Sequence, residues 1–113
     1  MAYDHDLTDR FRAALGSRLP YEERRMMGAV CFLLHGHMIG GCHRTKRGAR
    51  RFFFRIGKQN TEIALARGGA EAMAHGGRPM GGFVTVEDAD ASPEALHGWI
   101  GLAVAYVETL PPK

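Results

Sequence analysis

The sequence predicts an α+β domain, an antiparallel sheet with helices packed on it, and three observations carry that prediction. Two apolar runs meet at a turn, His35-Gly36, inside residues 24 to 43. Further on, Phe52, Phe54 and Ile56 alternate with Arg51 and Arg55, the period of two that a half-buried strand requires. Each end of the chain carries a helical stripe, Leu7, Phe11 and Leu15 near the start and Leu96, Ile100, Ala103 and Val107 near the end.

The elements follow in order. Residues 5 to 15 form a helix with Asp4 as N-cap and Gly16 at its end. Residues 17 to 23, which include Pro20, read as a connector. Met26 to Leu34 is apolar on both alternating sets, as in a strand covered on both faces, and Gly28 within it marks a bulge or a close approach. His37 to His43 is the return strand. With His35-Gly36 as a two-residue loop, Leu34 faces His37, Cys31 faces Gly40 and Ala29 faces Cys42. Cys31 and Cys42 are then diagonal neighbours on one face, roughly 7–8 Å apart and too far for a disulfide, so both read as small buried hydrophobes. Arg51 to Ile56 is the third strand. A short helix capped by Asn60 or Thr61 ends at Gly68-Gly69; residues 70 to 75 suit either helix or strand; residues 79 to 86 are a strand. The last helix is capped by Ser92, has Pro93 at its first position and is stopped by Pro111-Pro112.

With 113 residues the chain is a single domain, 1–113, able to bury roughly two-thirds of its unfolded surface. It has 45% apolar and 24% charged residues, near the globular average. No apolar run approaches the roughly 20 residues that cross a bilayer, no secretory signal is visible, and reduced thiols fit the cytoplasm. A cytoplasmic protein without membrane association is the expectation.

Catalytic inventory is thin. Ser17 and Ser92 are the only serines, and no acidic residue lies between Glu23 and Glu62. Phosphate-loop and dinucleotide fingerprints are missing. No catalytic residue, cofactor or metal site is therefore expected. His37 and His43 would lie roughly 20 Å apart along a strand, and His35 and His37 read as solvated turn residues. Met26, Met27, Met38, Met73 and Met80 could line a thioether-rich ligand pocket, although methionines in strands more often fill a core.

Charge is uneven within the net +3. Arg44, Lys46, Arg47, Arg50, Arg51 and Arg55 lie in an acid-free segment that could hold nucleic-acid phosphates weakly and without sequence preference. Phe53 is the one ring of Phe52-Phe53-Phe54 left for base stacking. On the reverse of the last helix Gly98, Gly101 and Ala105, flanked by Leu102, form either a solvated face or a close-packing interaction face, leaving monomer and homodimer both open.

Taken together, Arg25-Met26-Met27-Gly28, Phe32-Leu33-Leu34-His35-Gly36-His37-Met38, Gly41-Cys42, Phe54-Arg55-Ile56-Gly57 and Gly77-Arg78-Pro79-Met80-Gly81-Gly82-Phe83-Val84 resemble the N-terminal domain of the TfoX/Sxy family of competence regulators. The likeness runs on through Trp99 to Lys113 and spans essentially the whole chain. It implies an α-β-β-β-α-β-β-α sandwich like that of secretion chaperones, with residues 70 to 75 a strand. It also implies a non-catalytic regulatory role through a protein partner. Longer relatives of that family carry a second, helical domain and act with the cyclic-AMP receptor protein. The basic segment from Arg44 to Arg51 is not part of the resemblance.

Overall fold

The structure is a computed structural model that describes residues 3–16, 20–26, 28–75 and 77–111. Its elements are α1 (His5–Leu15), β1 (Tyr21–Met26), β2 (Ala29–Leu34), β3 (His37–Arg44), β4 (Arg50–Arg55), α2 (Lys58–Arg67), β5 (Glu71–His75), β6 (Arg78–Glu87), a 3-10 turn (Asp88–Asp90) and α3 (Pro93–Val107). The six strands make one antiparallel sheet in the order β1-β2-β3-β4-β6-β5. The α+β class and the helix-on-sheet arrangement are as the sequence predicts, and residues 71 to 75 are a strand.

There is one strand more than expected. The chain reverses between Met26 and Ala29 through Gly28 at φ +80°, so the run read as a single strand is the end of β1 and the whole of β2. Gly28 is a turn residue, neither a bulge nor a packing notch. β1 escapes a periodicity test because Glu22, Glu23, Arg24 and Arg25 are all exposed. Charge on a sheet edge deters further pairing, so an edge strand need show no apolar alternation.

The starts of α1 and α3 behave as read, but α2 begins at Lys58 after Gly57 with no side-chain cap. Asn60 and Thr61 lie inside its first turn and donate to the Ile56 and Gly57 carbonyls, and α3 ends at Val107, ahead of Pro111. The Asp4 carboxylate accepts the Leu7 N–H at 3.1 Å, and the Ser92 hydroxyl accepts that of Ala95 at 3.1 Å. One cluster holds Leu7 and Phe11 of α1, Ala64 of α2 and Leu96, Ile100, Ala103 and Val107 of α3. These meet Phe32, Phe52, Phe54, Ile56, Val84 and Val86 of the sheet. Phe11 stacks on Phe32 with ring centroids 4.2 Å apart. All three helices thus cover the same side.

The other side carries a second buried cluster, Ala29, Cys31, Leu33 and Phe53, bordered by Met26, Met38, Met73 and Phe83. Every one of these is a strand residue. β2 is indeed buried on both faces, but among the described residues no helix covers its second face. Among the described residues no helix is long and apolar enough to cross a membrane.

A bulge corrects the hairpin register. His35 (φ +53°) and Gly36 (φ +82°) form the turn and Leu34 faces His37, but Phe32 faces Gly40 and Val30 faces Cys42. Ile39 is the extra residue and turns into the helix-side core. The shift places Cys42 on the helix side and Cys31 on the open side, so the two are not diagonal neighbours on one face. Both are free and buried.

Candidate functional site: a methionine-lined groove

Because side chains alternate along a strand, the register fixes what the open face presents. One row across the sheet is Cys31, Gly41, Phe53, Thr85 and Glu71. The row on one side of it is His43, Arg51 and Glu87. On the other side stand Leu33, Met38, Arg55 and Phe83. Over these rows lies a groove of about 630 Å³, with half-buried Met26 and Met38 toward one edge and Met73 and Met80 toward the other.

Its floor depends on Gly41. A β-carbon there would lie 2.7 Å from Phe53 Cζ and 3.1 Å from Cys31 Cα, and would run into the Val30 carbonyl oxygen. Glycine lets the Phe53 ring lie down on the backbone, an aromatic covering a strand glycine. Phe53 is 4% exposed, so it is a floor for the groove and is not free to stack a splayed base.

The polar end is close to neutral in sum. Arg51 Nε donates to Glu87 at 2.8 Å. The His43 ring sits 5.8 Å from that of Phe53 and makes no hydrogen bond to a described residue. Burial, and after it the positive charge of Arg51, hold the His43 imidazole below its ordinary pKa, so the ring is neutral at neutral pH. Burial likewise raises the Cys31 thiol, leaving it protonated. Glu71 makes no ion pair among the described residues. The groove can therefore bind, and its thiol is a poor nucleophile.

The six basic residues do not gather into one patch. Arg44 and Arg50 pair across β3 and β4 toward the helix side, Arg51 emerges on the open side, and Arg55, on the open face by register, reaches round the sheet to α3. Arg50 is clamped by acids: Nε reaches Asp4 at 2.9 Å, Nη1 reaches Asp88 at 2.7 Å and Nη2 reaches Asp6 at 2.5 Å. Asp88 also receives Arg10, whose Nη2 donates to the Ala91 carbonyl at 2.6 Å. The Arg55 guanidinium lies over the Tyr106 ring at 5.6 Å. Arg44, Lys46 and Arg47 are exposed at the β3–β4 connection, with Arg44 4.0 Å from Asp4.

On α3, Gly98, Gly101 and Ala105 are exposed, and a β-carbon on either glycine would meet nothing within 4 Å. Leu102 turns partly inward against the core. His37 is not a solvated turn residue: it is buried, its Nε2 donates to the Pro111 carbonyl at 2.5 Å, and Nδ1 has no partner among the described residues. Among the described residues no three His, Cys, Asp or Glu side chains are grouped to hold a metal ion.

Four of the five methionines noted in the sequence meet in the groove, and Met27 lies outside the described residues. Cys31, His43 and Phe83 were not anticipated as part of it. Their signal was the doubly apolar β2, which needed a second buried face whatever supplied it. No protein-family model, no curated protein and no solved structure matches this chain.

Proposed function

We propose that the chain is a non-catalytic, cytoplasmic regulatory module that acts by binding, of the kind implied by its resemblance to TfoX/Sxy N-terminal domains. Its recognition surface is the open face of the sheet. One observation carries this reading: a six-stranded sheet has all its helices on one side and an apolar, methionine-walled groove on the other. Apolar concavities of this size are where proteins hold ligands and partners. Methionine walls adapt to what they contact, a property of binding surfaces that repack.

The test is capture from the native cell with immobilised wild type beside Met73→Glu and Met80→Glu. Each variant places a charge on the groove wall and leaves the helix-side core untouched. Loss of the same captured molecules from both variants supports the reading. Identical capture by all three proteins moves the recognition surface elsewhere.

A second reading rests on the exposure of Arg44, Lys46 and Arg47: weak, sequence-independent binding of nucleic acid. Counterion release makes such binding fall steeply with salt. Fluorescence anisotropy with labelled duplex and single-stranded DNA, wild type against a triple Glu variant of these residues, tests it. No difference between the two proteins removes it.

A further inference from the structure

We infer that the groove is a site for a small, planar, largely apolar and uncharged molecule, aromatic or heteroaromatic, with a hydrogen-bonding edge. The inference rests on the open sheet face being the recognition surface, and it names the occupant.

Three observations select that chemistry. The volume, about 630 Å³, falls in the range of roughly 300–1,000 Å³ that holds small organic ligands. The walls are four thioethers and the half-buried Phe83 ring, and sulfur and ring edges both favour contact with an aromatic face. The polar complement is uncharged in sum at one end: Arg51 is paired with Glu87, and His43 offers ring nitrogens free of described protein partners beside the Thr85 row. A strongly anionic ligand would compete with Glu87 for Arg51, and would approach Glu71 at the far end of the floor row.

A second copy of the chain fits this face poorly. An isologous dimer would set concavity against concavity and trap a void between them. The floor residues are already 3–6% exposed, so a flat contact gains little from them, whereas a standard interface buries about 800 Å² on each partner. The rim would also force charged side chains together, since Glu22 and Arg24 border the apolar cluster on β1. A small ligand contacts the half-buried methionine walls and Phe83 without covering that rim.

The experiment uses N-phenyl-1-naphthylamine, an uncharged aromatic probe whose emission rises in apolar surroundings, with wild type carrying methyl-¹³C methionine. Saturable fluorescence at one probe per chain is expected, together with shifts of the Met26, Met38, Met73 and Met80 methyl resonances. Met73→Glu and Met80→Glu should each weaken the probe tenfold or more while keeping the wild-type circular dichroism. Ile63→Glu, at an exposed site on α2, should leave it unchanged. Unmoved methyl resonances at saturating probe, or equal loss in Ile63→Glu, overturns the inference. So does sedimentation that shows a wild-type dimer broken by Met80→Glu. If the probe fails but the two groove variants still lose their captured partners, the recognition surface stands and the small-ligand site falls.

Discussion

The same substitution, glycine to alanine, should change stability in opposite directions at Gly101 and Gly41. In α3, Gly98 and Gly101 are helical and exposed, with no atom within 4 Å of an added β-carbon. Alanine there removes unfolded-state freedom and meets no obstacle. Interior helix propensity puts the gain at about 0.8–1.0 kcal/mol per site. For a domain of this size that is about 3–6 °C in Tm for each variant. At Gly41 the added carbon would press on Phe53 and on the backbone of β2, including the Val30 carbonyl. Overpacking of a tight site costs about 1–3 kcal/mol, and more where backbone must move. Phe53→Leu should relieve only the ring's share, so the double variant should stay below Phe53→Leu alone. Thermal and urea melts followed by far-ultraviolet circular dichroism give the values for all five variants. A Tm lowered by both Gly98→Ala and Gly101→Ala would mean that this face is occupied. Sedimentation of Gly101→Glu beside wild type then shows whether the occupant is a second copy. Unchanged stability in Gly41→Ala would refute the floor geometry.

Ile100→Ala, in the middle of the helix-side cluster, should destabilise by about 2–5 kcal/mol in the same melts through lost transfer energy and the cavity left behind. Asp4 should make stability acid-sensitive. The hydrogen bond from Arg50 holds its carboxyl below the usual value, so its contribution is complete above the unfolded pKa of about 4 and fades as pH falls through the lower folded value. Asp4→Asn keeps a capping side chain and loses the charge, so its deficit against wild type should be present at pH 6 and shrink below pH 4 (both pH values chosen about the reference pKa). Neither cysteine should react with a disulfide reagent at neutral pH until the protein unfolds: the Cys42 thiol is pushed up to about 11 by burial and that of Cys31 is also raised. Fast labelling of the native protein would contradict their burial.

Local rules were legible wherever local physics decides the outcome. Asp4, Ser92 and Pro93 mark helix starts through their own hydrogen-bonding and dihedral preferences, and the Leu96–Val107 stripe names its buried face directly. Two features were hidden, each for a physical reason. β1 is an edge strand whose outward charges are its protection, so it carries no alternation to detect. The bulge at Ile39 shifts the register by one residue, and a shift of one sends side chains to the other face. That single insertion separates Cys31 from Cys42 and leaves Cys31 on the floor of the groove. The methionines were visible as a set. Their convergence was not, because Met26, Met38, Met73 and Met80 come from β1, β3, β5 and β6, and no local pattern announces a sheet in which β6 pairs with β4 and β5 lies outermost.

The two clusters also divide the labour of the sheet. Stacked rings and three helices hold one face, and nothing in that cluster comes from the groove walls. Sites without shared partners act nearly independently on stability. Met73 and Met80 can therefore become charged at little cost to folding, since both are half-buried at the rim and face no helix. Phe53 and Gly41 cannot, because the backbone of β2 and β3 closes around them. A face built only for stability has no such gradient from rigid floor to yielding rim. A rigid floor within soft thioether walls is the arrangement that holds the depth of a site fixed while accommodating a flat ligand's outline.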